Sequence, residues 1–173
     1  MNPQTILAVD NSGNFLEYIP KEDGHKGQGK RHLAIAVLIN NSKGEVLLQK
    51  RKHQIFDNIW DITGATHPLH LESGQDESLT EATGRCLKEE WGIEGILVKE
   101  AGVFNYFARY GDYCENEHCH LITGEYDGAA NLNPDMGYEF KWVKKQEFLK
   151  DIAQNPDKYT PWAQESIHLL DKA

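Results

Sequence analysis

The apolar positions of this chain fall mostly in short blocks of strand length, with one long stretch at helical spacing. Residues 6–19 read as a hairpin: an apolar run, a turn at Asn11-Ser12-Gly13-Asn14, then Phe15-Leu16-Glu17-Tyr18-Ile19. Residues 32–39 are an unbroken apolar run suited to a buried strand. Residues 40–44 turn the chain and 45–51 return it, so the pattern predicts a second hairpin. Short strands are expected at 60–63, 96–98, 103–110, 114–122 and 138–143, and a helix over 145–153. Thr160 and Pro161 suit the cap and first position of a last helix. Residues 20–31 and 127–137 are polar and rich in glycine, asparagine or charge, and predict loops.

The long helical stretch begins at Ser78. Ser78 and Glu81 have the spacing of a capping box, and Leu79, Ala82, Cys86 and Leu87 fall near one face. Gly92 can take the left-handed conformation that closes a helix. Glu90 lies four residues after Cys86, at the edge of the apolar face. A carboxylate there must be solvated, paired or bound to metal.

A chain of 173 residues can bury the core of one domain, spanning 1–173, and strands alternating with a few helices imply a mixed α/β sheet packed between helices. The formal charge of −9 argues against nonspecific binding to nucleic acid or an anionic membrane. No apolar run approaches the ~20 residues that cross a bilayer, and the first residues lack the pattern of a secretory leader. Cys86, Cys114 and Cys119 are odd in number and lack metal-site spacing, so a reducing cytoplasm is the expected setting.

Strand alternation across 114–122 puts Glu115 and Glu117 on one face and Asn116, His118 and His120 on the other. Two carboxylates on one face repel unless a cation or a proton lies between them. His118 and His120 are therefore expected in packing or at the surface. Lys21, His25, Lys26, Lys30 and Arg31 in the first loop, and Lys50-Arg51-Lys52 at a strand end, suit either an anion or plain solvation.

Glu77, Arg85, Leu87, Glu89, Glu90, Gly92 and Ile93 stand in the order and spacing of the second half of the Nudix box. Leu71 takes the place of its usual glycine, and Cys86 that of the glutamate after the arginine. Across most of the chain the motifs resemble one branch, the type I isopentenyl-diphosphate isomerases. His25 and His32 resemble the first two histidine ligands of that family and His67, in His67-Pro68, the third. Glu115-Asn116-Glu117 resembles the E-x-E motif that completes the site. Tyr106 is similar to the active-site tyrosine, and Trp162 in Thr160-Pro161-Trp162 to the tryptophan facing a cationic intermediate. The resemblance implies a Nudix fold, diphosphate held by Lys21 and Arg51, and magnesium held with it by Glu90. It implies a second divalent ion, zinc or manganese, at the five-residue site, where imidazole and carboxylate suit such metals.

The chain departs from this pattern at the family's cysteine, two residues before the His-Pro histidine, where Ala65 stands. A methyl group cannot carry a proton. Cys86 also replaces a basic helix residue, while Glu89-Glu90 restores the double glutamate of Nudix hydrolases. The expectation is a metal-dependent enzyme that hydrolyses a small diphosphate, with Glu89, Glu90, Tyr106 and Glu117 in catalysis and Ala65 and Trp162 lining the substrate site. The alternatives are isomerisation of isopentenyl diphosphate, or diphosphate binding without catalysis.

Overall fold

The computed structural model describes residues 4–170. Ten strands form one sheet: β1 (Thr5–Val9), β2 (Phe15–Pro20), β3 (His32–Asn40), β4 (Glu45–Arg51), β5 (Trp60–Asp61), β6 (Gly64–Thr66), β7 (Leu69–His70), β8 (Val98–Tyr110), β9 (Tyr113–Glu125) and β10 (Gly137–Lys144). The helices are α1 (Lys21–His25), α2 (Leu79–Trp91), α3 (Lys145–Gln154) and α4 (Pro161–Leu170).

The apolar run of β3 has its physical reason in the topology, because both edges and both faces of β3 are covered. One edge pairs in parallel with β9, from His32 opposite Glu117 to Asn40 opposite Glu125. The other edge meets β1, β6 and β4 in turn. On one face Ala34, Ala36 and Leu38 pack with Phe148, Trp162 and Ala163 from α3 and α4. On the other, Ile35, Val37 and Ile39 pack with Ala82, Leu87 and Trp91 from α2. The sheet is thus mixed and lies between helices, as the pattern predicts.

Two local expectations are corrected. The second hairpin is reduced to a single pair, Asn40 with Val46, because residues 60–66 insert between the two strands, β5 pairing with β4 and β6 with β3. Thr63 bridges the splayed strands: its hydroxyl accepts from the Ile39 amide at 2.8 Å and donates to the Leu47 carbonyl at 2.7 Å. Part of the polar 20–31 segment is helical, as α1. The rest agrees closely. The first hairpin forms, the two strand-like pieces before residue 110 join into one bulged strand, β8, and α2 starts with a full capping box at Ser78. It ends at Gly92 with φ of 65°, where a side chain would be strained.

Candidate metal centre and active site

His25, His32, His67, Glu115 and Glu117 converge although they come from three separate elements and a loop. Their ligand atoms all lie within 4.8 Å of one another. His25 ends α1, His32 begins β3, His67 follows β6, and the two glutamates project from one face of β9. The polar face of β9 is turned away from this point: His118 bonds Asn105 at 2.7 Å and His120 pairs with Glu100 at 2.9 Å.

The histidines are oriented before any ligand arrives. His25 Nδ1 lies 2.7 Å from the Lys21 carbonyl and His32 Nδ1 lies 2.8 Å from the Lys30 carbonyl. Carbonyls only accept, so each Nδ1 carries the proton and each Nε2 presents a lone pair to the cluster. His67 Nε2 stands 3.0 Å from Glu117 Oε1, and His32 Nε2 3.5 Å from the same oxygen. His25 Nε2 approaches Glu115 Oε2 at 3.2 Å. Arg85 fixes the backbone at His67, donating to its carbonyl at 2.9 Å while forking onto Glu77 at 2.8 Å. Glu77 in turn accepts from the Leu69 amide at 3.1 Å.

The electrostatics fit a cation. Burial, then the nearby Glu117 charge, pushes the Glu115 carboxyl above its usual range. Burial alone would raise Glu117 as well, but the adjacent His32 and His67 rings hold it well below. Burial drives His67 well below the ordinary imidazole value, which keeps its lone pair available. His32 Nε2 and Glu115 Oε2 are buried with no well-aligned hydrogen-bond partner. Three imidazoles and two carboxylates with orphaned, inward-facing atoms suit a divalent ion of the zinc, manganese or iron type.

The cluster forms one wall of a cavity of about 760 Å³. Tyr106, opposite Glu117 in the β8–β9 ladder, donates its hydroxyl to Glu117 Oε2 at 2.5 Å. Burial raises the phenol well above its ordinary range, so it stays protonated. Trp162 lines the same cavity, with the Arg51 guanidinium 4.7 Å from its ring centre. Asp61 Oδ2 steadies that guanidinium at 3.1 Å, while Arg51 Nε and Trp162 Nε1 remain buried without partners. Lys21 also lines the cavity. Burial depresses its ammonium first; Glu115 and Glu117 oppose the shift, and Arg85 and Arg51 add to it. Cations crowded in this way mark an anion site.

From α2, Glu90 is buried and its carboxyl is pushed up to about 7 by desolvation. Gln49 donates to Glu90 Oε2 at 2.7 Å and Cys86 to Oε1 at 3.4 Å. Glu89 stands at the rim: its side chain is 60% exposed and lies 3.8 Å from Arg85. Glu90 with the anion-binding cations could hold a magnesium ion against a diphosphate. Ala65 lines the cavity from β6, which pairs along the edge of β3 opposite to that of β9. Gln49 and Asp61 are the residues of this site that motif reading passed over. The one available signal was alternation, which puts Gln49 on the same strand face as Arg51.

A sequence model described as the NUDIX domain matches residues 30–163. The chain is 32% identical to isopentenyl-diphosphate Delta-isomerase 2 of Aromatoleum aromaticum, over 94% of this chain and 83% of that one. It is likewise 32% identical to the isopentenyl-diphosphate Delta-isomerase of Nocardia farcinica, over 97% and 95% of the two chains. Among solved structures it resembles DR0079 from Deinococcus radiodurans, with a TM-score of 0.66, 17% identity and coverage of 87% and 90%. It also resembles a MutT protein from Methanosarcina mazei, with a TM-score of 0.56, 24% identity and coverage of 68% and 80%. Helix α2 with its carboxylates, the mixed sheet and the matched sequence model together identify the chain as a member of the Nudix family.

Proposed function

We propose that the protein is a divalent-metal-dependent enzyme that binds a small alkenyl diphosphate and moves a proton between carbons of its organic group. The observation that carries this reading is the 2.5 Å contact between the Tyr106 hydroxyl and Glu117 inside the five-residue cluster. A protonated phenol beside a carboxylate is a donor and an acceptor on one cavity wall. A hydrolase needs several carboxylates around the diphosphate. Helix α2 turns only Glu90 inward, since Glu89 is at the rim and Glu77 is held by Arg85. The relatives named isopentenyl-diphosphate isomerase support the same class.

In this reading Lys21, Arg51 and Glu90 with its magnesium hold the diphosphate and direct the organic group toward Tyr106 and Glu117. A divalent ion at the histidine cluster, when bound, supplies positive charge that compensates Glu115 and Glu117. The Tyr106–Glu117 pair gives a proton to one carbon of the double bond. A tertiary cation forms, and a proton on the neighbouring carbon returns to the pair. Ala65 offers no group on its side, so both transfers use one face of the substrate.

A second reading, hydrolysis of the diphosphate, is favoured by Ala65 itself and by the restored Glu89-Glu90 pair. One assay separates them. The protein is incubated with isopentenyl diphosphate and, in parallel, with nucleoside diphosphate compounds, with magnesium and manganese present. Allylic product without phosphate release is the expected result. Phosphate or monophosphate release without allylic product replaces the first reading by the second, and neither product from any substrate removes both.

A further inference from the structure

One cavity residue has no part in the chemistry above. His53 sits in the loop between β4 and β5 and lines the cavity beside Arg51 and Lys21. The loop is tied down at every other position. Lys52 donates to the Pro134 carbonyl at 2.9 Å, Gln54 to the Tyr113 hydroxyl at 3.2 Å, and Ile55 and Phe56 are buried in the core. The His53 amide donates to Asp57 Oδ1 at 3.1 Å, and Asp57 is itself held by the Tyr138 hydroxyl at 3.2 Å. Phe56 and Asn58 adopt positive φ, 51° and 58°, an uncommon choice for residues other than glycine. A short loop bent this way and pinned on both sides fixes the backbone from which the exposed His53 side chain projects.

We propose that His53 is a diphosphate ligand, its imidazole joining Arg51 and Lys21 at the anion end of the cavity and taking up a proton from solvent as the anion enters. The proposal rests on the diphosphate reading above and adds a recognition residue and a proton linkage to it.

The surroundings supply the reason. Arg51 reaches this end from β4, Lys21 and His25 from α1, and Asp57 from the loop itself. The other charged residues of the cavity are Glu22, Arg85, Glu89, Glu90, Glu115 and Glu117. Without an anion, partial burial and then Arg51, Lys21 and His25 push the His53 imidazole down to about 4, with Asp57 opposing. The ring is neutral at physiological pH and adds no further positive charge beside Arg51 and Lys21. A bound diphosphate reverses the local field and favours the imidazolium, which then donates to a phosphate oxygen. Binding therefore carries proton uptake, and affinity gains from His53 as pH falls through the imidazole pKa of the complex.

The test uses inorganic diphosphate with magnesium as the probe. The His53 ring signal is assigned by proton NMR through its loss in His53→Gln, and is followed against pH with and without saturating probe. Its midpoint is expected near 4 in the free protein. With the probe bound it is expected to rise by about two pH units, a hundredfold change in proton affinity. In parallel, His53→Gln is expected to weaken probe binding about tenfold at pH 5.0 and less than twofold at pH 8. His53→Lys, charged throughout, should bind more tightly than wild type at pH 8. An unmoved His53 midpoint while other resonances report binding, or an affinity loss equal at both pH values, overturns the proposal and leaves the diphosphate reading standing. If no resonance responds to the probe, both fall.

Discussion

At Ala65 a methyl group lines the cavity where the resemblance places a thiol, while Tyr106 and Glu117 keep a 2.5 Å contact across two strands. In the proposed reading the consequence is one-sided proton chemistry. Glu117→Gln removes both the acceptor and a cluster ligand, and is expected to lower turnover of isopentenyl diphosphate by about 10²-fold or more, the scale of positioned acid–base catalysis. Tyr106→Phe keeps the ligand set and removes only the donor, so it should lower turnover while bound metal, measured by elemental analysis, stays at the wild-type level. Ala65→Cys adds a proton carrier on the other side and should raise isomerisation above wild type. A rate for Ala65→Cys no higher than wild type would show that one face suffices.

Helix α2 carries two separate duties. Its ends are set by local chemistry: Ser78 and Glu81 exchange hydrogen bonds at the start, and Gly92 closes it in the left-handed region. Ser78→Ala is expected to cost about 1 kcal/mol in denaturant unfolding and leave the kinetics unchanged. Its inner face presents Glu90, which the sequence pattern places at the edge of the apolar stripe and the fold buries completely enough to raise its carboxyl to about 7. Glu90→Gln keeps an acceptor for the Gln49 amide and removes the charge. Turnover is expected to fall by about 10²-fold, the scale for losing one electrostatic stabiliser, with stability at pH 7.5 equal to or above that of the metal-free wild type. Glu89→Gln, at the exposed rim, separates the two readings: little change is expected for isomerisation and a large loss for hydrolysis.

For the whole molecule, the buried carboxylate couples metal, pH and stability. Glu90 titrates about 7 in the fold against an ordinary 4.5. Between these values the folded state holds more protons than the unfolded one. Its contribution to stability is full below the ordinary value and is lost as pH rises toward 7. Glu115 acts in the same direction. His53 and His67, held neutral in the fold, act in the opposite direction up to the ordinary imidazole value of 6.5, so the metal-free protein is expected to lose melting temperature from pH 6.5 to pH 7.5. Glu90→Gln should flatten that slope, and so should saturating manganese with magnesium, because ions bound only by the folded state stabilise it. A melting temperature that climbs across this range in the metal-free wild type would contradict the assignment.

Much of this was legible in the chain. The apolar run of β3, the capping box and glycine of α2, and the alternation that turns Glu115 and Glu117 away from His118 and His120 are all local patterns. Local backbone geometry enforces each of them. The family resemblance likewise named the five residues that converge in the cluster. What the sequence could not place is whatever depends on residues far apart meeting. Residues 32–51 read as a simple hairpin, yet β5 and β6, from residues 60–66, insert between β3 and β4 and take up that pairing. Gln49 and Asp61 belong to no motif. They became site residues only because the sheet brings Gln49 against Glu90 and Asp61 against Arg51. The charge state of Glu90, the turn of Glu89 to the rim and the projection of His53 among Lys21 and Arg51 were decided in the same way. Burial and the field of distant charges exist only once the chain has folded.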